Sequence, residues 1–403
     1  MKVSKIFLTA FAAAAVLLTA ACSKDGVKDD GGGPAGGGTP YDLTGLTVDG
    51  QFPIIAWTGI NWNETHKFRA MKDCGINTYL GWYDNLMNVL SVLDAAEQYG
   101  VKLIIRSESF NSDTQAEVSQ MMGHPALLMY HIHDEPSEND FGWIAEVVNN
   151  IRKVDATTPW YVNLYPNWAW GGAGSYRSRL VSYCNAMPEL RFLSFDNYPI
   201  RNIGLREDWY RNLEDIRYIA RSKKVPFWAF ALALAHTTDE AHYPIPTVAE
   251  LRLQQFSNLA YGAQGFQYFT YWGIYQNGPT QVYERVQTVN KELQALSKYF
   301  LGADVTDVWH TGAVIPDGTV KLSSMPSGVE SLVTSDGGAV VSHFTKDGVR
   351  YLALVNKDYQ NEMSLDIDFS NSVRQLDKEG YYAQASSGNY TVGPGDIILF
   401  QLN

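Results

Sequence analysis

The sequence contains very little cysteine. Only three of its 403 residues are cysteines, Cys22, Cys74 and Cys184, and the last two each lie inside a predicted helix. A disulfide framework needs more cysteines than this, and a zinc site needs closely spaced Cys and His residues that the sequence lacks. We therefore expect neither a disulfide-stabilised fold nor a bound metal.

Positive charge is also scarce. The chain has 31 Lys and Arg residues against 43 Asp and Glu residues, a net charge of −12. This excess of negative charge argues against nucleic acid and against anionic membrane surfaces as partners. No glycine-rich phosphate loop follows any predicted strand, which argues against a nucleotide site. We expect no cofactor.

The N-terminus has the pattern of an export signal. Lys2 and Lys5 precede an apolar run over 6–18, which is too short for a good membrane-spanning helix. The segment that ends in Ala20-Ala21-Cys22 resembles a bacterial lipobox, and this resemblance implies that Cys22 is lipidated. We predict a lipoprotein signal peptide over 1–22 and a flexible Gly-rich tether over 23–40. The expected location is a bacterial membrane, at the cell surface or the periplasmic face.

Residues 41–301 alternate short apolar strands with amphipathic helices. Eight such alternations predict a (β/α)8 barrel, with a doubly wound open sheet as the alternative. Gly100 is predicted to cap the helix over 85–98. The predicted strands are 53–58, 76–80, 101–106, the run before Glu135, 159–164, 192–195, 226–231 and 265–270.

Residues 302–403 have a different pattern. Short alternating strands are separated by turn pairs such as Asp317-Gly318 and Asp347-Gly348, which predicts an antiparallel β-sandwich. Ionisable residues are not concentrated here, so we expect a packing role. The predicted strands are 305–314, 319–323, 338–344, 349–355, 363–369 and 397–401.

One stretch concentrates chemically active residues at the end of a predicted buried strand. His131, His133, Asp134 and Glu135 follow the apolar run 126–129, and Pro136 ends the strand. Active sites of such barrels are built from the carboxyl ends of the strands. The two histidines would lie on one face of the strand, a spacing suited to a metal, but His236 is the only further histidine at a strand end. We expect instead that one histidine forms a hydrogen bond inside the barrel and the other tunes Glu135.

The remaining strand ends carry aromatic and polar residues. Aromatic platforms beside carboxylates and amides suit a saccharide, whose CH faces stack on rings and whose hydroxyls form hydrogen bonds. The 11 Trp, 24 Tyr and 17 Phe residues of the chain agree with such a ligand. The predicted substrate-binding residues are Trp57, Arg106, Glu108, His133, Asn163, Tyr165, Tyr198, His236, Tyr271 and Trp272.

These motifs resemble those of the (β/α)8-barrel glycoside hydrolases. In that superfamily an Asn-Glu-Pro ends strand four, and here Asp134-Glu135-Pro136 stands in that place. Asp-Asn-Tyr-Pro from Asp196 and the pair Tyr271-Trp272 are also similar, and a C-terminal β-sandwich is a common companion. The resemblance implies a glycan substrate, with Glu135 as the general acid. The overall plan resembles that of exported glycan-degrading lipoproteins of gut-type bacteria.

The sequence departs from this superfamily at strand seven. Retaining members place a nucleophilic glutamate there, but residues 226–236 contain no carboxylate, and Asp239 and Glu240 follow in a loop. Three alternatives remain open. Asp134 orients a substrate acetamido group that acts as the nucleophile; or Glu135 works with Asp196 or Glu108; or the barrel binds glycan without cleaving it. A scaffold or adhesion protein is a further alternative.

Overall fold

The computed structural model describes residues 40–172, 174–238, 241–379 and 381–402. The predicted signal peptide, Cys22, the tether up to residue 39, and Asp239 and Glu240 lie outside these residues. Among the helices of the described part, none is both long enough and apolar enough to cross a membrane.

Eight parallel strands close into a barrel, which confirms the predicted fold class. Neighbours in the closed order β1-β8-β7-β6-β5-β4-β3-β2 are hydrogen-bonded to each other. The open doubly wound sheet is thereby excluded. The barrel strands are β1 (Ile54–Trp57), β2 (Thr78–Tyr83), β3 (Lys102–Ser107), β4 (Leu127–Asp134), β5 (Trp160–Leu164), β6 (Leu193–Phe195), β7 (Phe227–Leu232) and β8 (Gly265–Phe269).

Helices surround the barrel, and their ends follow local sequence signals. Asn85 caps the second helix by accepting a hydrogen bond from the Asn88 N–H, and Gly100 ends it in a left-handed conformation (φ 65°), as predicted. The helices are α1 (Lys67–Asp73), α2 (Leu86–Tyr99), α3 (Thr114–Met121), α4 (Phe141–Arg152), α5 (Tyr176–Ala186), α6 (Trp209–Lys223), α7 (Val248–Ala260), α8 (Tyr271–Ile274) and α9 (Tyr283–Phe300).

Two antiparallel sheets follow the barrel and form the predicted β-sandwich. One has the strand order β9-β11-β12-β17-β14-β15 and the other β10-β13-β16. An apolar core lies between them. The strands are β9 (Asp304–His310), β10 (Val329–Thr334), β11 (Ala339–Lys346), β12 (Val349–Asn356), β13 (Met363–Phe369), β14 (Val373–Leu376), β15 (Tyr382–Ala385), β16 (Gly388–Val392) and β17 (Ile397–Leu402).

The sequence predicted the sandwich strands less well than the barrel strands. The predicted strand over 319–323 is wrong, because only an isolated bridge from Lys321 to His310 forms there. Strands β10, β14, β15 and β16 were not predicted. Most of their side chains are partly or fully exposed, so their sequences lack the apolar alternation that identifies a strand.

The strand β12 of the six-stranded sheet is buried on both faces from Tyr351 onward. Alternate residues of β12, such as Leu352 and Leu354, face the sandwich core. The residues between them, including Ala353 and Val355, belong to the same apolar core as the barrel helices. The sandwich is therefore packed directly against the barrel through continuous apolar contact, in agreement with the packing role expected from the sequence.

Candidate active site

Every second residue of a barrel strand points inward, because successive side chains of a strand face opposite sides. Apolar inward residues such as Ile55, Leu80 and Ile104 fill the middle of the barrel. Polar and aromatic groups replace them at the carboxyl ends, where a site is expected. The last regular inward positions, from β1 to β8, are Trp57, Trp82, Arg106, His131, Asn163, Asp196, Leu232 and Phe269.

Strand β4 ends irregularly, and this brings adjacent acids to the same place. Its register against β5 shifts between His131 and His133. Glu135 then adopts a left-handed backbone conformation (φ 52°), which is uncommon for a residue with a side chain, while its N–H donates to the Asn163 carbonyl (2.8 Å). On a regular strand Asp134 and Glu135 would face opposite sides; here both reach the barrel mouth.

Three carboxyl groups meet around one amide. The Asn163 Nδ2 donates to Asp134 Oδ1 (3.2 Å) and to Asp196 Oδ1 (2.9 Å). The carboxyl group of Glu135 donates a hydrogen bond to that of Asp196. The predicted catalytic residues Glu135, Asp134 and Asp196 are therefore brought together, with Asn163 between them. Below, these three acids are called the carboxyl cluster.

A chain of buried side chains fixes the orientation of that amide. Ser194 Oγ donates to Asn163 Oδ1 (3.0 Å), and Gln267 Nε2 donates to Ser194 Oγ (2.8 Å). The Tyr161 hydroxyl donates to Gln267 Oε1 (2.7 Å). Because the Asn163 oxygen accepts from Ser194, its NH₂ group must face the acids. Sequence analysis missed Tyr161 and Ser194 as members of this site; the available signal was a polar residue inside an otherwise apolar strand.

The environment favours the protonated form of the acids. Burial is the main cause that raises the pKa of Glu135, and the negative charges of Asp196 and Asp134 raise it further. Burial and the charge of Asp134 also raise the pKa of Asp196. The pKa of Asp134 is raised to about 6 by desolvation, although its side chain is exposed to water in the mouth. Glu135 is the acid most strongly held in its protonated form.

The Glu135 and Asp196 carboxyl groups lie next to each other at the barrel mouth. A direct hydrogen bond joins them, so an oxygen of one group lies at hydrogen-bonding distance from an oxygen of the other. The two carboxyl groups of a retaining glycosidase are about 5–5.5 Å apart, and those of an inverting enzyme about 6.5–9.5 Å. A hydrogen-bonded pair of carboxyl groups is closer together than the pair of an inverting enzyme.

Several predicted substrate-binding aromatics surround the carboxyl cluster. The negative charges of these acids contribute, after burial, to the raised pKa of Tyr165 and of Tyr198. His236 stacks on Tyr243 with ring centroids 4.5 Å apart and contacts the edge of Tyr198. Trp272, which is 43% exposed, packs its backbone against Gly59 just after β1. Together these rings form an aromatic wall around the mouth.

Other predicted residues are placed differently. Tyr271 is completely buried and donates to the Lys67 carbonyl (3.0 Å), so it has no surface that faces the mouth. Glu108 is exposed just after β3, and its charge acts on Arg106. Trp57 lies inside the barrel, edge-on to Trp82 and 5% exposed.

The two histidines of β4 do not share a face, contrary to the prediction. His131 is enclosed by Trp57, Trp82 and Tyr161 inside the barrel, whereas His133 packs against Trp143 of α4. The register shift between them turns His133 away. The role expected for the second histidine is also wrong, because His133 is not among the groups that alter the pKa of Glu135.

Neither histidine contributes to a metal site or to the predicted hydrogen bond. Neither ring nitrogen of His131 has a hydrogen-bond partner among the described residues. In the described part of the chain, no three His, Cys, Asp or Glu side chains are grouped so that they could hold a metal ion.

Strand β7 presents an apolar group where a nucleophile would be expected. All six of its residues are buried. Its last inward residue, Leu232, packs with Ala241 and Tyr243 against Tyr198 and Phe269. This side of the mouth therefore has no acid among the residues that the structure describes.

Comparison with known proteins identifies glycoside hydrolases. The model of glycoside hydrolase family 42, described as β-galactosidase, matches residues 116–297. No curated protein sequence matches the chain.

The chain shares its fold with a putative α-galactosidase of known structure. A putative α-galactosidase from Bacteroides fragilis NCTC 9343 is 10% identical, with 90% of this chain and 80% of that chain covered and a TM-score of 0.53. A second putative α-galactosidase/melibiase from that organism is 11% identical, with 88% and 79% covered and a TM-score of 0.49. The β-galactosidase of Marinomonas ef1 is 11% identical; 61% of this chain and 60% of that chain are covered, with a TM-score of 0.45. The predicted resemblance to (β/α)8-barrel glycoside hydrolases is thus confirmed.

Proposed function

Because the chain resembles the (β/α)8-barrel glycoside hydrolases, we propose that it cleaves a glycan, with Glu135 as the general acid. One observation carries this proposal: Glu135 lies at the barrel mouth beside Asp196 and Asp134, where burial and the charges of these acids raise its pKa. A general acid must carry a proton at working pH and must reach the leaving oxygen. The surrounding aromatic wall is suited to hold sugar rings.

The position of the second acid favours the alternative in which the substrate supplies the nucleophile. The hydrogen-bonded contact between Glu135 and Asp196 disfavours Asp196 as the base of an inverting enzyme, and the apolar end of β7 offers no nucleophile among the described residues. In the favoured reaction the acetamido oxygen of the substrate bonds to the anomeric carbon, the glycosidic C–O bond breaks, and the Glu135 proton passes to the leaving oxygen. Water then attacks the anomeric carbon and gives a proton to the Glu135 carboxylate, while the bond from that carbon to the acetamido oxygen breaks and the acetamido group is restored. Asp134, which is exposed in the mouth and held by Asn163, would orient the acetamido N–H.

The apolar end of β7 favours a second candidate, a barrel that binds glycan without cleaving it. Leu232 occupies the strand end that carries the nucleophile in retaining relatives. A barrel without that acid would still offer the aromatic wall and the polar groups of the mouth to a sugar. The two candidates differ in turnover and not in binding.

Release of an aryl group from glycosides would separate the candidates. We expect release from N-acetylhexosaminides by the wild type and a loss of at least about 100-fold in Glu135→Gln, the lower end of general-acid contributions. Glu146→Gln, an exposed glutamate on α4, is the matched control and should keep full activity. Full activity in Glu135→Gln would overturn the assignment. Glycan binding by the wild type without any release would favour the binding protein.

Two further variants would test the nucleophile. If the substrate supplies it, Asp134→Asn should lose most activity on N-acetylated substrates, and plain hexosides should not react. Release from plain hexosides together with an inactive Asp196→Asn variant would instead point to Asp196 as the second acid.

We also propose that Cys22 carries a lipid that anchors the protein to a bacterial membrane. The lipobox-like end of the signal sequence supports this proposal. Labelling of growing cells with a radioactive fatty acid should mark the wild type and not Cys22→Ala, with Cys184→Ala as the control. Label retained in Cys22→Ala would contradict the anchor.

A further inference from the structure

Arg106 is a half-buried arginine without a partner at the barrel mouth. It is the last inward residue of β3, and its Nε atom is buried without a hydrogen bond. Its guanidinium forms no hydrogen bond and no ion pair within 4 Å with any residue that the structure describes. A desolvated charge of this kind costs free energy unless a partner compensates it. Arg106 is thus available to an anion that enters the mouth.

His131 supplies a second unpartnered group beside it. Arg106 pairs with Trp82 across the β2–β3 ladder, and the pairing of Ile105 with Tyr130 places His131 next to Arg106 on β4. The His131 ring is 1% exposed, and neither nitrogen has a partner in the described chain. Burial and the charge of Arg106 lower its pKa, so the ring is neutral and presents one N–H donor.

Arg106 is only partly covered by its neighbours. The Trp82 ring, 40% exposed, lies 6.0 Å from the guanidinium and covers one side. The acids whose charges reach Arg106 are Glu108 and Asp134. Glu108 follows β3 directly and is exposed, and Asp134 is held by Asn163. Neither acid forms an ion pair within 4 Å with the guanidinium. The negative charge of each acid nevertheless reduces the positive potential around Arg106.

We propose that Arg106, with the buried His131 ring beside it, forms an anion subsite, which binds a negatively charged substituent of the glycan beside the carboxyl cluster. The inference rests on the proposed function in that it takes the mouth to be a glycan cleft. The planar guanidinium matches the geometry of a carboxylate, as in a uronic acid, and also binds a sulfate ester. The substrate class is then an acidic glycan, with its charged sugar over β3 and β4 and its scissile bond at Glu135.

Calorimetric binding to paired oligosaccharides would test the subsite. The protein is Glu135→Gln, which prevents turnover, and the ligands are glucuronic and galacturonic acid oligosaccharides, each beside its carboxyl-reduced form, and sulfated hexose oligosaccharides beside desulfated ones. We expect the acidic member of at least one pair to bind about tenfold or more tightly, from the strength of charged hydrogen bonds. Preference for uronic acids or for sulfated sugars distinguishes the two anions.

Substitution of Arg106 gives the second arm of the test. Arg106→Gln in the same background should bind both members of the preferred pair equally, whereas Arg106→Lys should keep part of the preference. Lys153→Gln removes a positive charge directly after α4, at the opposite end of the barrel, and should change nothing. Equal binding of charged and neutral members by the unsubstituted protein would overturn the subsite, and so would an unchanged preference in Arg106→Gln.

The test does not depend on catalysis. If no glycoside is hydrolysed but acidic oligosaccharides bind through Arg106, the proposed hydrolase activity fails and the subsite stands. If neutral glycosides are cleaved with Glu135 as the acid and no charge preference exists, the subsite fails and the activity stands.

Discussion

At the residue scale, the chemistry of the mouth depends on the pair formed by Glu135 and Asp196. Burial raises the pKa of both groups, and a hydrogen bond between them raises that of Glu135 further. One partner therefore controls the protonation of the other, as in other interacting carboxyl pairs. This coupling leads to two predictions.

The first prediction concerns the pH dependence of hydrolysis. Asp196→Asn removes a negative charge that helps to hold the proton on Glu135. The pKa of Glu135 should fall, and the alkaline limb of the profile of kcat/KM against pH should move to lower pH. Wild type and Glu146→Gln, measured alongside, should have their alkaline limbs at the same pH. An alkaline limb that stays in place in Asp196→Asn would mean that Asp196 does not act on Glu135.

The second prediction concerns stability. The folded protein binds the Glu135 proton more tightly than the unfolded chain, so this stabilisation is complete below the unfolded carboxyl pKa and is lost as pH rises through the raised, folded pKa. Glu135→Gln has no carboxyl group to titrate at this position and does not lose this stabilisation. Its free energy of unfolding should therefore increase relative to that of the wild type as pH rises from about 4 to about 8. Urea unfolding at both pH values measures the difference. An equal change in the free energy of unfolding of the two proteins between these pH values would contradict the raised pKa of Glu135.

The residues of the site were predicted better than their arrangement. Glu135, Asp134, Asp196 and Asn163 were all expected at strand ends, because the period of two and the barrel rule locate inward carboxyl-end positions. The direct contact between Glu135 and Asp196 depends on the left-handed conformation of Glu135. No local pattern predicts a positive φ at a glutamate, so this contact could not be foreseen.

At the element scale, the irregular end of β4 decides which side chains enter the mouth. The register shift turns His133 towards α4 and leaves His131 inside the barrel. A sequence pattern gives the period of a strand but not the position of a bulge, since a bulge adds one residue without changing composition. The prediction of two histidines on one face failed for this reason.

A glycine after β1 fixes another part of the mouth. Gly59 has φ 124°, and a Cβ atom there would lie 2.5 Å from the backbone N of Trp272. We expect Gly59→Ala to lower the free energy of unfolding by about 3 kcal/mol, from backbone strain and overpacking together. The displaced Trp272 should also weaken glycan binding.

The matched control for this prediction is Gly50→Ala. Gly50 also has a positive φ (72°), but a Cβ atom added there would meet no other atom within 4 Å. Gly50→Ala should lower the free energy of unfolding by only about 1–2 kcal/mol, because the backbone conformation alone disfavours a side chain there. Equal losses in the two variants, measured by urea unfolding, would show that the contact with Trp272 is unimportant.

At the scale of the whole molecule, the barrel and the sandwich share one apolar core. Val305 and Phe344 of the six-stranded sheet belong to the same cluster as the barrel helices. The Tyr261 hydroxyl, directly after α7, lies 2.7 Å from the buried Nε2 of His310 at the end of β9. Continuous packing of this kind predicts a single cooperative unfolding transition, which calorimetry would detect. Two separate transitions would contradict it.

The hydrogen bond between Tyr261 and His310 can be tested separately. Tyr261→Phe leaves His310 without a partner for either nitrogen, because its Nδ1 already has none in the described chain. The expected loss is about 1–3 kcal/mol of unfolding free energy. Tyr210→Phe is the matched control, since its hydroxyl makes a longer contact of 3.4 Å to Ser257, and it should lose less. A Tyr261→Phe variant as stable as the wild type would indicate that the bond contributes nothing.

The global architecture was the most predictable level. Eight alternations of apolar strands and helices sufficed for the barrel, because each strand is buried on both faces and reads as an apolar run. The exposed strands of the sandwich, such as β15 (Tyr382–Ala385), carry no such run and were missed. The docking of the sheet on α7 depends on contacts between distant residues that a sequence pattern does not encode.

The chain of hydrogen bonds from Gln267 through Ser194 to Asn163 has an evolutionary consequence. Gln267 on β8 donates to Ser194, Ser194 donates to Asn163, and Asn163 donates to the acids. The donor or acceptor role of each side chain is therefore fixed by its neighbour in the chain. A mutation at one position would reverse or break the direction at the next. In descendants of this protein the three positions should therefore be inherited as a unit, and a change at one should be followed by compensating changes at the others.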